Sequence, residues 1–376
     1  MTSDAMVRLK LSCLFLCVIG FSIVTLLCLY FPDKQIAYNI GRLSALNASI
    51  LPGSHSVQLF QTKKNEEVVI AAVICGNRTS QALVMIKSAI VFRGNSDLRI
   101  VVIAEKNIQQ EFDETLRDWR LLTNDSFSYE IHSIIFPKEH SDEWRKLFQP
   151  CASERLFLPT VLNHLDSILY VDTDTLFLSS VEDVWKHFSQ MNSSQLAAMV
   201  PEHEDMNVGW YNRFANHPYY GKLGLNSGVM LMNLTRMREF NWISRLAPVL
   251  EKYRLYLTWG DQDIINVIFH DHPDKVYVYP CRYNYRSDHC MYMSNCKSAE
   301  EDGVAVLHGS RSTFQTNKQP AFRALFNAMS QYQLGSDPVK YLLEASASLL
   351  NKTTSTNCGR LAPIFTHNMR LMFQTV

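Results

Sequence analysis

Uninterrupted apolar runs constrain this chain more than any other feature. Residues 68–75 (VVIAAVIC), 98–104 (LRIVVIA) and 168–171 (ILYV) lack the polar alternation of a half-exposed strand. Each therefore has to be covered on both faces, as strands of a parallel sheet are. Between the first two, Leu83, Ile86 and Ile90 recur at helical spacing, and after the second so do Ile108, Phe112, Leu116 and Trp119. Residues 127–136 alternate and predict a third strand, while 152–165 predict a helix. This alternation of strand and helix predicts an α/β fold with a central, mostly parallel sheet and helices on both sides. No G-x-G-x-x-G follows the first strand and no P-loop occurs, which argues against NAD and against ATP held by a Walker loop.

The run at 168–171 leads directly into two carboxylates, Asp172 and Asp174, before the apolar residues 176–178 resume. Acids wedged into such a segment are costly to bury unless a cation or hydrogen-bond donors meet them. A D-x-D alone is common, and after a strand it is often a turn or cap. Here it ends a buried strand, where open α/β sheets bind ligands. A hard divalent ion shared with substrate phosphates is the partner this pattern calls for.

Downstream, 196–200 predicts a strand and 201–222 a long polar and aromatic loop, in which Trp210, Tyr211, Tyr219 and Tyr220 offer faces for stacking. Asn226-Ser227-Gly228 reads as a turn opening the strand 226–233. Asp261-Gln262-Asp263 opens a helix spanning 261–270, where a cap and the helix dipole alone would explain one acid. Short strands are expected at 276–279 and 304–308 and helices at 320–332 and 339–350. His308 ends its apolar strand as Asp172 does, and a neutral imidazole can join two carboxylates on an ion such as manganese. As a lone residue, His308 reads equally well as a satisfied core or capping histidine.

The compartment follows from the N-terminus. Residues 11–31 contain no charged side chain and are long enough to span a bilayer. Arg8 and Lys10 precede them, which keeps residues 1–10 cytoplasmic and makes this a type II signal anchor. A cleaved signal peptide is the alternative, but no small-residue cleavage site follows. Polar residues 32–66 read as a stem, 67–335 as the catalytic domain and 336–376 as a C-terminal tail. Outside the anchor, Cys75, Cys151, Cys281, Cys290, Cys296 and Cys358 are even in number, compatible with three disulfides of open connectivity in an oxidising lumen. N-x-S/T sequons at Asn47, Asn77, Asn124, Asn192, Asn233 and Asn351 suit the same compartment. The net charge of zero gives no electrostatic case for nucleic acid, and 19% charged residues are too few for a disordered chain.

In this order, YVDTD, LNSGVMLMN, TWGDQD and LHG resemble glycosyltransferase family 8 over roughly residues 66–333. The stretches PEHEDMNVGWYNRFANHPYYGKLGLNSGVMLMNLTRM and CRYNYRSDHCMYMSNC narrow the resemblance to the glucoside xylosyltransferases. The resemblance implies a GT-A fold, manganese, and xylose transfer from UDP-xylose in retaining α1,3 linkage to O-linked glucose on EGF repeats of Notch-type receptors, on an ER or Golgi membrane. It implies Asp172, Asp174 and His308 as manganese ligands, Asn226 and Gly228 as lining donor and acceptor, and Asp261, Gln262 and Asp263 as catalytic residues near the anomeric carbon. Two departures stand out. His308-Gly309 is followed only by Lys318-Gln319-Pro320 in place of a Lys-Pro-Trp ending, which leaves Lys318 as the diphosphate contact by position alone; and the segment 237–256 is shorter than in the xylosyltransferases. Competing readings are a family member using UDP-glucose or UDP-galactose on another lumenal glycan, a non-catalytic lumenal binding protein, and a metal hydrolase.

Overall fold

The apolar runs become adjacent strands. In the computed structural model, which describes residues 67–147 and 151–374, β1 (Glu67–Ile74), β2 (Asp97–Ala104), β3 (Phe127–Ser133) and β4 (Ser167–Val171) are followed by β5 (Thr175–Phe177), β6 (Ala197–Pro201), β7 (Leu225–Asn233), β8 (Val276–Val278) and β9 (Val306–His308). The expected N-terminal tail, anchor and stem, residues 1–66, lie outside the described residues. Among the described helices none is long and apolar enough to cross a membrane.

Seven strands form one sheet in the order β3-β2-β1-β4-β7-β6-β8. β1 runs parallel to β2 and β4, β2 to β3, and β6 to β8, which is the mostly parallel arrangement the apolar runs predict. β7 is the exception, antiparallel to both neighbours, β4 and β6. Its reversal sets the start of β7 beside the end of β4, with Val229 opposite Val171. A separate antiparallel ribbon pairs β5 with β9 and places Thr175 opposite His308. Helix α1 (Thr79–Val91) buries Ile86 and Ile90, and α2 (Lys106–Leu122) buries Ile108, Phe112 and Leu116, each with its apolar stripe inward.

Three expectations are revised. Residues 226–228 are not a turn: they lie inside β7, where Asn226 pairs with Val200 and its buried amide finds side-chain partners that override its poor strand propensity. The helix expected over 152–165 shortens to a 3₁₀ segment, Ala152–Phe157, and one α-turn, Leu158–Val161. The segment 336–374, expected as a tail, packs into the same compact unit. Its Leu342, Leu350, Phe365 and Met369 are buried, the Val304 N–H donates to the Ile364 carbonyl at 2.9 Å, and Phe365 meets Tyr285 edge-on at 5.7 Å. The six cysteines pair as Cys75–Cys151, Cys281–Cys296 and Cys290–Cys358. The first joins the end of β1 to the 3₁₀ segment, and the last joins residue 358 to the loop before β9.

Because Cys290–Cys358 closes a separation of 68 residues, replacing both by Ser is expected to lower unfolding free energy by about 2–5 kcal/mol in urea titration. A second test concerns Glu154, which is fully buried on the 3₁₀ segment and accepts the Ile135 N–H at 3.0 Å. Burial pushes its carboxyl up from 4.5 to about 7. Between these values the folded chain keeps a proton that the unfolded chain has lost, so stability falls as pH rises through that window. Glu154→Gln is expected to remove this slope and to be the more stable form at pH 8 by on the order of 3 kcal/mol. Parallel pH–stability curves for the two proteins would contradict the assignment.

Candidate active site

The C-terminal ends of β1 and β4, the start of β7, the first turn of α3 (Asp261–Asp271) and the loop after β9 enclose a cavity of about 400 Å³. Asp172, Asp174 and His308 line it, and one ligand atom from each lies within 4.8 Å of the other two. Two backbone pairings bring them together. The Asp172 N–H donates to the Gly228 carbonyl at 2.8 Å, and the Gly309 N–H donates to the Asp174 carbonyl at 2.6 Å. His308 Nε2 then stands 3.4 Å from Asp174 Oδ1 and 3.7 Å from Asp172 Oδ2.

The protonation of His308 can be read from its neighbours. The Gly228 N–H donates to Asn226 Oδ1 at 3.0 Å, which fixes that atom as the oxygen. The group of Asn284 that meets the same oxygen at 2.7 Å is therefore its NH₂. The Asn284 oxygen then faces His308 Nδ1 at 2.9 Å, so Nδ1 carries a proton and Nε2 is the ring nitrogen turned to the two acids. Imidazole ligands of metals are oriented in this way by the partner of their other nitrogen. Two carboxylates and an unprotonated imidazole nitrogen fit a divalent transition-type ion. Burial pushes the Asp174 carboxyl up, but His308 and Arg78 outweigh it and hold it below the ordinary aspartate value.

Gly228 has a steric role here. A Cβ at this position would lie 2.2 Å from the His308 ring, so the absence of a side chain is what admits the imidazole. Gly228 itself does not line the cavity, whereas Asn226 does. The Asn226 amide continues the chain of hydrogen bonds: its NH₂ donates to Glu202 at 2.7 Å, which also accepts from Gln262 at 3.2 Å. Gln262 Oε1 in turn accepts the Ser227 N–H at 3.2 Å.

The D-Q-D stretch divides. Asp261 and Gln262 face the cavity. Asp263 does not: it is fully buried behind the helix start and accepts from the Tyr211 hydroxyl and from the N–H groups of Thr258 and Trp259, each at 2.7 Å, with His217 Nε2 at 3.1 Å. It holds the aromatic loop and the residues before α3 in place. Of the loop's aromatics Trp210 reaches the cavity wall, where Trp259 meets it edge-on at 5.0 Å. Lys318 is exposed and is not among the residues lining the cavity, whereas Arg78 and Arg311 place positive charge on its wall.

Arg155 was not singled out in the sequence. Its guanidinium is 7% exposed, 3.0 Å from Asp172 and 2.6 Å from Asp261, and it donates to the Ser227 carbonyl at 2.7 Å. Burial alone would lower its basicity, but Asp172 and Asp261 outweigh that and keep it charged. Burial pushes the Asp261 carboxyl up to about 7, against the pull of Arg155. The available signal was a Glu-Arg pair inside an otherwise apolar segment, SERLFLP. Arg286 also escaped notice. It is 1% exposed on the cavity wall, donates to the carbonyl of Pro201 at 3.2 Å and to that of Glu202, and leaves Nε and Nη1 without a hydrogen-bond partner.

A family model described as Glycosyl transferase family 8 matches residues 69–308. The chain is 49% identical over 352 residues to glucoside xylosyltransferase 1 of Danio rerio, covering 90% of this chain and 87% of that protein. It is 47% identical over 311 residues to glucoside xylosyltransferase 1 of Homo sapiens, covering 80% and 70%. Among solved structures it is similar in fold to the galactosyltransferase LgtC in complex with donor and acceptor sugar analogs, with a TM-score of 0.52 and 18% identity over 70% of this chain and 95% of that one.

Gly228→Ala, which drives a methyl group into the His308 ring, is expected to weaken manganese binding by about tenfold or more, measured calorimetrically. Wild-type affinity in this variant would show that His308 is not held by that close approach.

Proposed function

Because the chain belongs to glycosyl transferase family 8, we propose that it is a retaining xylosyltransferase that moves xylose from UDP-xylose to the 3-hydroxyl of a glucoside. The acceptor in this reading is O-linked glucose on EGF repeats of Notch-type proteins. The observation that carries it is one cavity in which Asp172, Asp174 and His308 share the wall with Asp261, Gln262, Trp210 and Trp259. The identity to proteins named glucoside xylosyltransferase supports the choice of sugar.

Departure of the sugar leaves a diphosphate with added negative charge and an electron-poor anomeric carbon. Asp172, Asp174 and His308 would hold a divalent ion such as manganese, which would supply electrostatic stabilisation of that diphosphate. Arg78 and Arg311 add positive potential from the same wall. Gln262 is held at both ends of its amide, by Glu202 and by the N–H and hydroxyl of Ser227, so its oxygen is fixed in place with its negative partial charge available to the positive charge that develops at the sugar. Arg155 bridges Asp172 and Asp261 and fixes both carboxylates in position. Trp210 and Trp259 give the sugars apolar faces to stack on, with Asp263 anchoring the backbone beneath Trp259. Asn226 aligns His308 through Asn284. The acceptor hydroxyl attacks from the face that the diphosphate quits, which preserves anomeric configuration.

We assign the catalytic domain to the ER or Golgi lumen as a single-pass type II protein. The charge-free segment 11–31 and the three disulfides support this reading.

Incubation of the chain with UDP-xylose, manganese and an O-glucosylated EGF repeat is expected to add one pentose in α1,3 linkage. Chelation should stop turnover and manganese restore it, and Asp174→Asn should lower kcat/KM by about a hundredfold or more. A hexose gained from UDP-glucose or UDP-galactose, with none from UDP-xylose, would overturn the donor assignment; full activity in Asp174→Asn would remove the metal role.

A further inference from the structure

A second cluster of metal-ligating side chains lies on the edge strand of the sheet. Glu130 and His132 are two residues apart on β3 and therefore share one face of it. His164 reaches the same place from the turn that leads into β4. None of the three lines the cavity described above.

The two imidazoles converge on one carboxylate. His164 Nε2 is 3.1 and 3.2 Å from the two Glu130 oxygens, and His132 Nε2 is 3.3 Å from Oε2. The rings are 5.9 Å apart, centroid to centroid, and tilted by 32°. All three ligand atoms lie within 4.8 Å of one another. His132 Nε2 is closed off from solvent and makes no hydrogen bond, since its approach to Glu130 has the distance but not the direction of one. Neutral imidazoles around a dication need no protons between them.

The spacing also fits. Ligands about 2.0–2.1 Å from a tetrahedral ion stand roughly 3.3 Å from one another. Two imidazoles and one carboxylate form the borderline N/O set that suits zinc, whereas the oxygen-rich Asp172–Asp174–His308 set suits manganese. We propose that Glu130, His132 and His164 form a zinc site, with a fourth position open to water, that clips the edge strand β3 to the turn before β4. Because β4 leads directly into Asp172, such a clip stiffens the approach to the cavity from outside it.

Zinc also meets the first cluster, so the test uses the full chain carrying His308→Ala, stripped with a chelator and titrated with zinc alone by calorimetry. One equivalent is expected to bind and to raise Tm; His164→Ala or His132→Ala in that background is expected to weaken binding at least about tenfold and abolish the rise in Tm. Cobalt in place of zinc should show the visible bands of a tetrahedral site, lost in the same variants. His164 is 43% exposed, so its removal should leave the metal-free Tm unchanged; if it does not, the isosteric Glu130→Gln takes its place. Zinc affinity and Tm response unchanged by these substitutions would overturn the proposal, whatever sugar the enzyme transfers.

Discussion

Carboxylates held out of water are the constraint to which the rest of the structure answers. Asp172, Asp174, Glu202, Asp261 and Asp288 all line one cavity. Gathering such charge is unfavourable unless each acid has a cation or a set of donors. Arg155 meets two of them at once and is buried to do so. Asn226 and Gln262 satisfy Glu202, Arg311 pairs with Asp288, and His308 turns Nε2 to Asp172 and Asp174. The unmet demand is therefore concentrated at the Asp-Asp-His cluster, where a divalent ion fits.

Strand direction builds the site from distant parts of the chain. Parallel strands deliver their loops to the C-terminal edge of the sheet. β7 runs against its neighbours, so its beginning, not its end, arrives at that edge. Asn226 and Ser227 come with it, and Gly228 leaves the space that His308 occupies. The β5–β9 ribbon does the same for His308 and Asp174. Backbone hydrogen bonds hold these registers, and the line of amides through Asn226 and Asn284 sets the imidazole's tautomer. The disulfide Cys75–Cys151 tethers the segment that carries Arg155 to the end of β1.

Much of this was legible in the residues. Short continuous apolar runs bounded by turn residues fit doubly covered strands, and periodic stripes fit helices with an apolar face, so the α/β class and most elements follow from local physics. Asp172, Asp174 and His308 stood out because polar ligands at the ends of apolar strands are costly without a partner. The family resemblance rested on long stretches and agrees with the match over residues 69–308. Arg155, Asn284 and Arg286 were not singled out, since their partners are distant in sequence and the one local mark is the charged pair around Arg155 in an apolar segment. Asp263 and Lys318 misled for the converse reason: a carboxylate in a helix's first turn and a lysine after His308-Gly309 look the same from the sequence whichever way they point.

The sequence by itself determined the fold class, the candidate cluster of Asp172, Asp174 and His308, and the family, because apolar periodicity and motif chemistry are local properties. Only the tertiary structure decided which acid of Asp-Gln-Asp faces the cavity, that Gly228 serves His308, and that residues 336–374 belong to the core. Those outcomes depend on strand register, disulfide pairing and the compensation of buried charge, which exist only once distant segments are packed together.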